Sequence, residues 1–388
     1  MKKNLKITPE GTKDYLFKEC TAVDYVCKKI QKVFENHQFH RVITPALEYF
    51  DLFSTDSSGL SAESMFKTMD NNGRLVVVRP DSTLPIARLV STRMQNEVLP
   101  VRLYYNQAVY RNNPSLTGRS NEIMQMGIEL IGSKGKRADL EVITTAIQCM
   151  QAVCKDFRIE VGHSLLFTSL IDSLGLTDDL KETIKEYIEN KNYSALNDAL
   201  DKLEKNDTVN AIRKLPSLFG GEEVFEKAKK LIKLPEALEA LDYLNNLYKD
   251  LSKLDLGDKI IVDLGLVQQN EYYSGIVFTG YALGYGDAIL SGGRYDKIFS
   301  EFNNSMGASG FAININHLAE EARYHSKSNI PEVLVFAKTD DDIMEAISYT
   351  QRLVKSGVRA QFSDLSDEKE ARQFASKLGI NKFEIIGE

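Results

Sequence analysis

Tyr110–Gly132 reads YRNNPSLTGRSNEIMQMGIELIG, and it follows directly on Val101–Arg111, VRLYYNQAVYR. VRLYYNQAVYR and NEIMQMGIELIG (Asn121–Gly132) are rich in β-branched and aromatic residues, so each reads as an extended run, with NNPSLTGRS between them. Glu129 sits inside the apolar run MGIELIG. A carboxylate in such a place needs a partner, because burying an unpaired charge is costly. Arg111, at a strand end, reads more often as half of a surface ion pair than as a clamp on a ligand.

The same alternation of helix and strand signals continues on both sides. Upstream, Val23, Val26, Cys27, Ile30, Val33 and Phe34 recur at helical spacing between Thr21 and Phe39. RVITPALEYF and RLVVVRP then read as strands, and Pro45 makes the first an edge strand or a strand end. Downstream, a helix is expected from Ala138 to about Val153, with Ile143, Ile147 and Met150 on one side. From about 167 to 256 the chain is Lys/Glu/Leu-rich and helical throughout, broken by Asn192, Pro216, Gly220, Gly221 and Pro235, as expected of a helical insertion. Strand signals resume at KIIVDLG, YYSGIVFTGYALG and GDAILSGG, and a helix is expected near Asn316. The tail from 329 to 388 alternates as β-α-β-α-β, a small parallel-sheet domain with no Gly-rich phosphate loop after its first strand. The domains expected are 1–325, carrying the 167–256 insertion, and 329–388.

With 388 residues, 43% hydrophobic and 27% charged, the chain is long enough to bury two or three cores. No apolar run follows the N-terminal lysines, and none is long enough to span a bilayer, so a cytoplasmic setting is expected. The four cysteines, Cys20, Cys27, Cys149 and Cys154, show no paired metal spacing and are expected to be buried free thiols. Net charge is −7, from 48 basic and 55 acidic residues, which argues against a broad nucleic-acid surface.

Five segments carry more than packing: PEGTKDYLF (Pro9–Phe17), VRPDSTLPIAR (Val78–Arg88), Tyr110–Gly132, LVQQNEYYSGIVF (Leu266–Phe278), and the run from SGGRYDKIF to GASGFAININHL, which ends at Leu318. Taken singly each has a plain reading. Asp81-Ser82-Thr83 serves about equally as a helix cap, and Tyr272-Tyr273 reads more often as strand packing. In this order they resemble the class II aminoacyl-tRNA synthetase core, and specifically its histidyl branch. The resemblance implies an α+β fold: an antiparallel sheet flanked by helices, with a helical insertion and a small C-terminal α/β domain like a shortened anticodon-binding domain. VITPALEY would then lie at a dimer interface.

The same resemblance implies a site for histidine. Asp81 and Thr83 would accept from the α-ammonium, and Arg111 and Gln125 would hold the carboxylate, arginine being suited to bidentate pairing. Glu129 and Tyr273 would bond the imidazole nitrogens, with Tyr272 packed alongside. The departures from the family pattern fall on the adenylation chemistry. Gln268 stands where the histidyl enzymes have a catalytic arginine, in Gln268-Gln269-Asn270-Glu271-Tyr272-Tyr273. Asn314-Ile315-Asn316-His317-Leu318 replaces a Gly-x-Glu-Arg-Leu ending, and Asn113 and Asn121 replace a glutamate and an arginine. Phosphate-charge stabilisation supplies several kcal/mol of such a barrier, so losing two cations should end useful catalysis.

Recognition kept and catalysis lost is the profile of the family of ATP phosphoribosyltransferase regulatory subunits. This second resemblance includes MFKTMDNNGRLVVVRPDSTLPIARL and GRSNEIMQMGIELIG. It implies no catalytic residue, no metal and no cofactor. The partners it implies are a short-form catalytic subunit and L-histidine, with homodimers of this chain inside a hetero-octamer. A membrane and tRNA are not expected as partners. The alternative reading is a working histidine–tRNA ligase, or a paralogue of it with another aminoacyl substrate.

Overall fold

The apolar stripe Val26, Ile30 and Phe34 is the buried face of helix α1 (Lys18–Asn36). In this computed structural model residues 6–54, 59–114, 119–267, 272–302, 304–322 and 330–387 are described. The stretch Gln268–Glu271 lies outside the described residues. The chain divides into two compact units, Met1–Tyr324 and His325–Glu388.

In the large unit α1 is followed by β1 (His40–Arg41), β2 (Leu47–Tyr49), β3 (Lys67–Met69), β4 (Leu75–Val78), α2 (Thr83–Arg93), β5 (Val101–Tyr110) and β6 (Glu122–Ile131). Next come α3 (Lys136–Val153), β7 (Phe157–His163), α4 (Ser164–Asp172), α5 (Asp178–Glu189), α6 (Tyr193–Leu200) and α7 (Asp207–Lys214). The unit closes with β8 (Phe219–Gly220), α8 (Glu223–Leu231), α9 (Pro235–Ser252), β9 (Ile260–Asp263), β10 (Ile276–Ala282), β11 (Leu290–Arg294), β12 (Ala308–Asn314) and α10 (Ile315–Glu321).

Nine strands form one sheet in the order β1-β5-β6-β12-β11-β10-β7-β9-β8. It is antiparallel from β5 through β7 and parallel at β1–β5 and β7–β9. Parallel neighbours need a long crossover, and here the helices α4–α9 supply the one between β7 and β9. The insertion is helical apart from β8, which pairs with β9. Its helices begin at Ser164 and end at Ser252, slightly earlier at each end than the expected 167–256. Pro45 falls between β1 and β2, which enter different sheets: β2 joins a small sheet ordered β2-β4-β3.

Alternation along β6 sorts its residues to two faces. Met126, Ile128 and Leu130 join the core under α1 and α3, with Phe34, Ile143 and Phe311. Gln125, Gly127 and Glu129 face the other way, toward Tyr105, Tyr272, Tyr273 and Tyr295. Cys149 and Cys154 are buried and Cys27 partly so, but Cys20 is exposed, against expectation; all four are free thiols. Cys20 sits in the first turn of α1, before its buried stripe begins.

The small unit is β13 (Val333–Ala337), α11 (Ile343–Lys355), β14 (Ala360–Phe362), α12 (Glu368–Leu378) and β15 (Lys382–Ile386). Its three parallel strands run in the order β14-β13-β15. Val333 and Val335 pack against Ala346 of α11, while Leu334 packs against Ala375 of α12. Each helix therefore covers its own face of the sheet, as alternate strand residues dictate.

Candidate functional site

A pocket on the second face of the large sheet is lined by Asp81, Thr83, Arg111, Gln125, Glu129, Tyr272 and Tyr273, all seven of the residues singled out from sequence. The strand pairing explains the gathering. Glu129 of β6 lies opposite Gly310 of β12, and Gln125 lies two pleats away on the same face. A methyl group at Gly310 would collide with the Glu129 carboxylate, and one at Gly293 would meet the Tyr273 ring at 2.7 Å. Glycine at these positions is what lets the strands approach the pocket so closely. Asp81 and Thr83 arrive from the start of α2, where Asp81 Oδ1 accepts the Leu84 amide at 3.0 Å. Asp81 thus bonds the first turn of α2 and, with Thr83, lines the pocket.

Glu129 is 2% exposed. Its carboxylate accepts from Thr83 Oγ1 at 3.0 Å and from the Tyr295 hydroxyl. Burial pushes its carboxyl up to about 8, with the nearby Asp81 adding to the rise and the Tyr295 and Thr83 hydrogen bonds opposing it. Burial also raises Asp81, offset in part by the Leu84 amide and the Arg111 charge. The phenols of Tyr105, Tyr272 and Tyr295 are pushed up by burial and stay protonated, so they act as donors.

Arg111 and the Gln125 NH2 are donors with little engagement among the described residues. Arg111 forms no ion pair among the described residues; its Nε donates only a long bond, 3.3 Å, to the Pro80 carbonyl. Gln125 Oε1 accepts from Tyr105 at 3.1 Å, and its NH2 makes no hydrogen bond among the described residues. The rings of Tyr272 and Tyr273 lie 4.8 Å apart, and Tyr295 meets Tyr272 edge-on at 6.0 Å. The pocket's free space is about 40 Å3, room for about three waters. Its polar groups are largely bonded to one another.

Tyr295, within SGGRYD, belongs to the pocket but is not among the seven residues expected from sequence. The signal available was Glu129 itself, a buried carboxylate still in want of a donor. Tyr105, Ser291 and Phe311 also belong to the pocket or its wall.

A larger cleft of about 590 Å3 lies alongside, lined by Glu10–Tyr15, Asn113, Arg119, Asn121 and Asn316 among others. The three asparagines are engaged in holding backbone. Asn121 donates to the Glu10 carbonyl at 2.9 Å, and its Oδ1 accepts the Asn113 amide at 3.0 Å. Asn316, 6% exposed, accepts the Met124 amide at 2.7 Å and donates to the Tyr15 hydroxyl. His317 is held below its usual value by burial, so it is neutral at pH 7 and replaces no cation. Among the described residues no cluster of three or more His, Cys, Asp or Glu could hold a metal, and no helix is long and apolar enough to cross a membrane.

A family model described as histidyl-tRNA synthetase matches residues 11–318. A Clostridium kluyveri protein named ATP phosphoribosyltransferase regulatory subunit is 39% identical over 388 residues, with 98% of this chain and 99% of that one covered. Among solved structures, one described as an ATP phosphoribosyltransferase regulatory subunit/histidyl-tRNA synthetase from Bacillus halodurans superposes with a TM-score of 0.88. It is 27% identical, and 98% of each chain is covered. A histidyl-tRNA synthetase from Nostoc shares the fold at 19% identity, with a TM-score of 0.78 over 97% of this chain and 90% of that one.

Proposed function

The chain belongs to the histidyl-tRNA synthetase family, within it to the regulatory subunits of ATP phosphoribosyltransferase, and from that premise we propose that its pocket binds free L-histidine and carries the feedback signal. Its role is regulatory rather than catalytic. It is needed for the activity of a short catalytic chain in the first step of histidine biosynthesis, and histidine reverses that activation.

One observation carries the reading. The pocket holds the donors and acceptors that a zwitterion with an imidazole requires, while in the neighbouring cleft, beside Lys13 and Arg119, the amide of Asn121 stands where the histidyl enzymes carry a cation for phosphate charge. Arg111 and the Gln125 NH2 suit the carboxylate, Asp81 and Thr83 the ammonium, and Glu129 and Tyr273 the imidazole. Because the free space is small, histidine replaces hydrogen bonds that the pocket makes to itself. The first to give way is the Tyr295–Glu129 bond, since it occupies the carboxylate that the imidazole seeks.

The mechanism is linkage: histidine binds one state of the complex better and draws the population toward it. The assembly proposed is a cytoplasmic hetero-octamer containing dimers of this chain, with no metal, cofactor or tRNA taking part. Ile43, Leu47 and Tyr49, from the VITPALEY segment, are 70%, 54% and 44% exposed, which supports that segment as the dimer contact. The test is the rate of phosphoribosyl-ATP formation by the short catalytic chain. Adding this protein should raise the rate strongly, and histidine should reverse the rise. No rise, together with no complex on a sizing column, would sink the proposal.

A further inference from the structure

A second cluster of buried charge joins the helical insertion to the wall of the pocket. Asp139 of α3 is 1% exposed and Arg294 of β11 is 6% exposed. Asp139 Oδ1 accepts from Arg294 Nε at 3.0 Å and from Nη2 at 2.5 Å, while Oδ2 accepts from the Tyr243 hydroxyl at 2.5 Å. Tyr243 belongs to α9, so its phenol is the insertion's own contribution to a carboxylate buried in the core. A carboxylate at such a depth holds its partners closely, because losing one leaves charge uncompensated.

Arg294 also seats the pocket's tyrosines. Its carbonyl accepts the Ser274 amide at 2.8 Å, directly after Tyr272-Tyr273. Gly275 packs so closely that a Cβ there would lie 2.9 Å from the Arg294 side chain. Arg294 Nη1 donates at 3.0 Å to Asp296, whose Oδ1 also accepts the Ala308 amide at 2.8 Å. Between Arg294 and Asp296 stands Tyr295, whose hydroxyl reaches Glu129. A ligand that takes Glu129 from Tyr295 therefore acts on the backbone that fixes Arg294, and Arg294 shares Asp139 with Tyr243.

We infer that Tyr243 is a positioning residue that couples the helical insertion to the amino-acid pocket through Asp139 and Arg294, so that filling the pocket changes the stability of α9. This rests on the proposal that the pocket binds histidine. Interfaces of this kind have discrete arrangements, and a ligand that prefers one shifts its population.

The test is amide hydrogen exchange of α9 with and without saturating L-histidine, with affinity measured by calorimetry on the same samples. The variants are Tyr243→Phe, which keeps the edge-on ring contact with His163 at 5.7 Å, and Tyr248→Phe, on the same helix with its ring against Phe225. In the parent and in Tyr248→Phe, histidine should slow α9 exchange about fivefold or more, the low end of usual coupling between sites. In Tyr243→Phe the slowing should vanish, and histidine should bind about fivefold more weakly, as reciprocity requires. Equal slowing in Tyr243→Phe and parent overturns the inference. Histidine bound with no change in α9 of the parent overturns it while leaving the pocket's assignment standing; no heat of binding overturns both. If Tyr243→Phe fails to fold, the parent alone decides. Slowing in α9 but not in α5, which has no bond to Asp139, supports the coupling, and uniform or absent slowing refutes it.

Discussion

Replacing Glu129 with glutamine should make the protein more stable and less able to bind histidine, and the structure sets the size of the first effect. The carboxyl is 2% exposed and is held up to about 8 instead of its ordinary 4.5. A carboxyl whose value rises on folding stabilises the fold fully below its unfolded value, and that contribution is lost as pH climbs through the folded value. Each pH unit in that window is worth about 1.4 kcal/mol, so from pH 5 to pH 8 the parent loses about 4 kcal/mol through this one group. The amide in Glu129→Gln has no proton to lose. Its oxygen can still accept from Tyr295, and its NH2 can donate to Thr83 Oγ1. Relative to the parent, the variant's unfolding free energy should therefore rise by about 4 kcal/mol over that range. At pH 5 the two should agree within about 1 kcal/mol. Urea unfolding at the two pH values measures this directly. Histidine affinity should fall at least about tenfold, because an amide has no carboxyl proton to share with the imidazole and leaves a buried hydrogen-bonding group unsatisfied. A variant destabilised equally at pH 5 and pH 8 would refute the reasoning, because Glu129 would then be ionised throughout.

Arg111→Ala should weaken histidine binding by about 10- to 100-fold in calorimetry, with little change in melting temperature, since among the described residues the side chain makes a single long bond, to Pro80. Unchanged affinity would remove Arg111 from the site. Asn316→Ala removes the amide that stands where the Gly-x-Glu-Arg-Leu ending has its glutamate, and urea unfolding reads the effect. It should cost about 1–3 kcal/mol of stability, because the Met124 amide and Tyr15 hydroxyl lose their partner. Leu47→Glu places a charge on an exposed apolar segment and should shift a dimer toward monomer on a sizing column; an unshifted profile would move the dimer contact elsewhere.

How far sequence alone reaches depends on how local each signal is. The helices α1 and α3 carry their 3.6-residue stripes openly, and the tail's β-α-β-α-β order is written in alternating segments. Pro45 marked a real break, but only pairing shows that the strands on either side of it join different sheets. Cys20 looked like a core residue because its neighbours are apolar at helical spacing, yet it lies before the buried stripe starts. The gathering of Asp81, Arg111, Glu129 and Tyr273 was legible through resemblance and not through spacing. Tyr295 shows why. It stands 166 positions from Glu129, and the two meet only because β12 lies between β6 and β11. A long separation also hid Tyr243, whose partner Asp139 is 104 positions away and reads in sequence as an ordinary helical residue.

The charge balance of the filled pocket leads to a last prediction, on pH. On the proposed reading, bound histidine would set its α-ammonium against Asp81 and its α-carboxylate against Arg111, and those two pairs would cancel. Glu129 is then the group whose charge has no fixed partner. In the empty pocket it is mostly protonated at pH 7, its value standing at about 8. Neutral imidazole arriving at a protonated carboxyl can share that proton and leave the buried pair neutral overall. Releasing the proton would strand a lone carboxylate at 2% exposure, which is costly. Affinity should therefore be flat between about 6.5, the ordinary value of imidazole, and about 8. Below that window imidazolium brings a surplus charge; above it Glu129 has already lost the shared proton. Affinity should fall about tenfold per pH unit on each side. At pH 7, binding enthalpies in phosphate and in Tris should agree, because no proton is exchanged with the buffer. A difference corresponding to about one proton released would mean that Glu129 ionises on binding, and the pocket would then have to supply a cation from elsewhere to hold it.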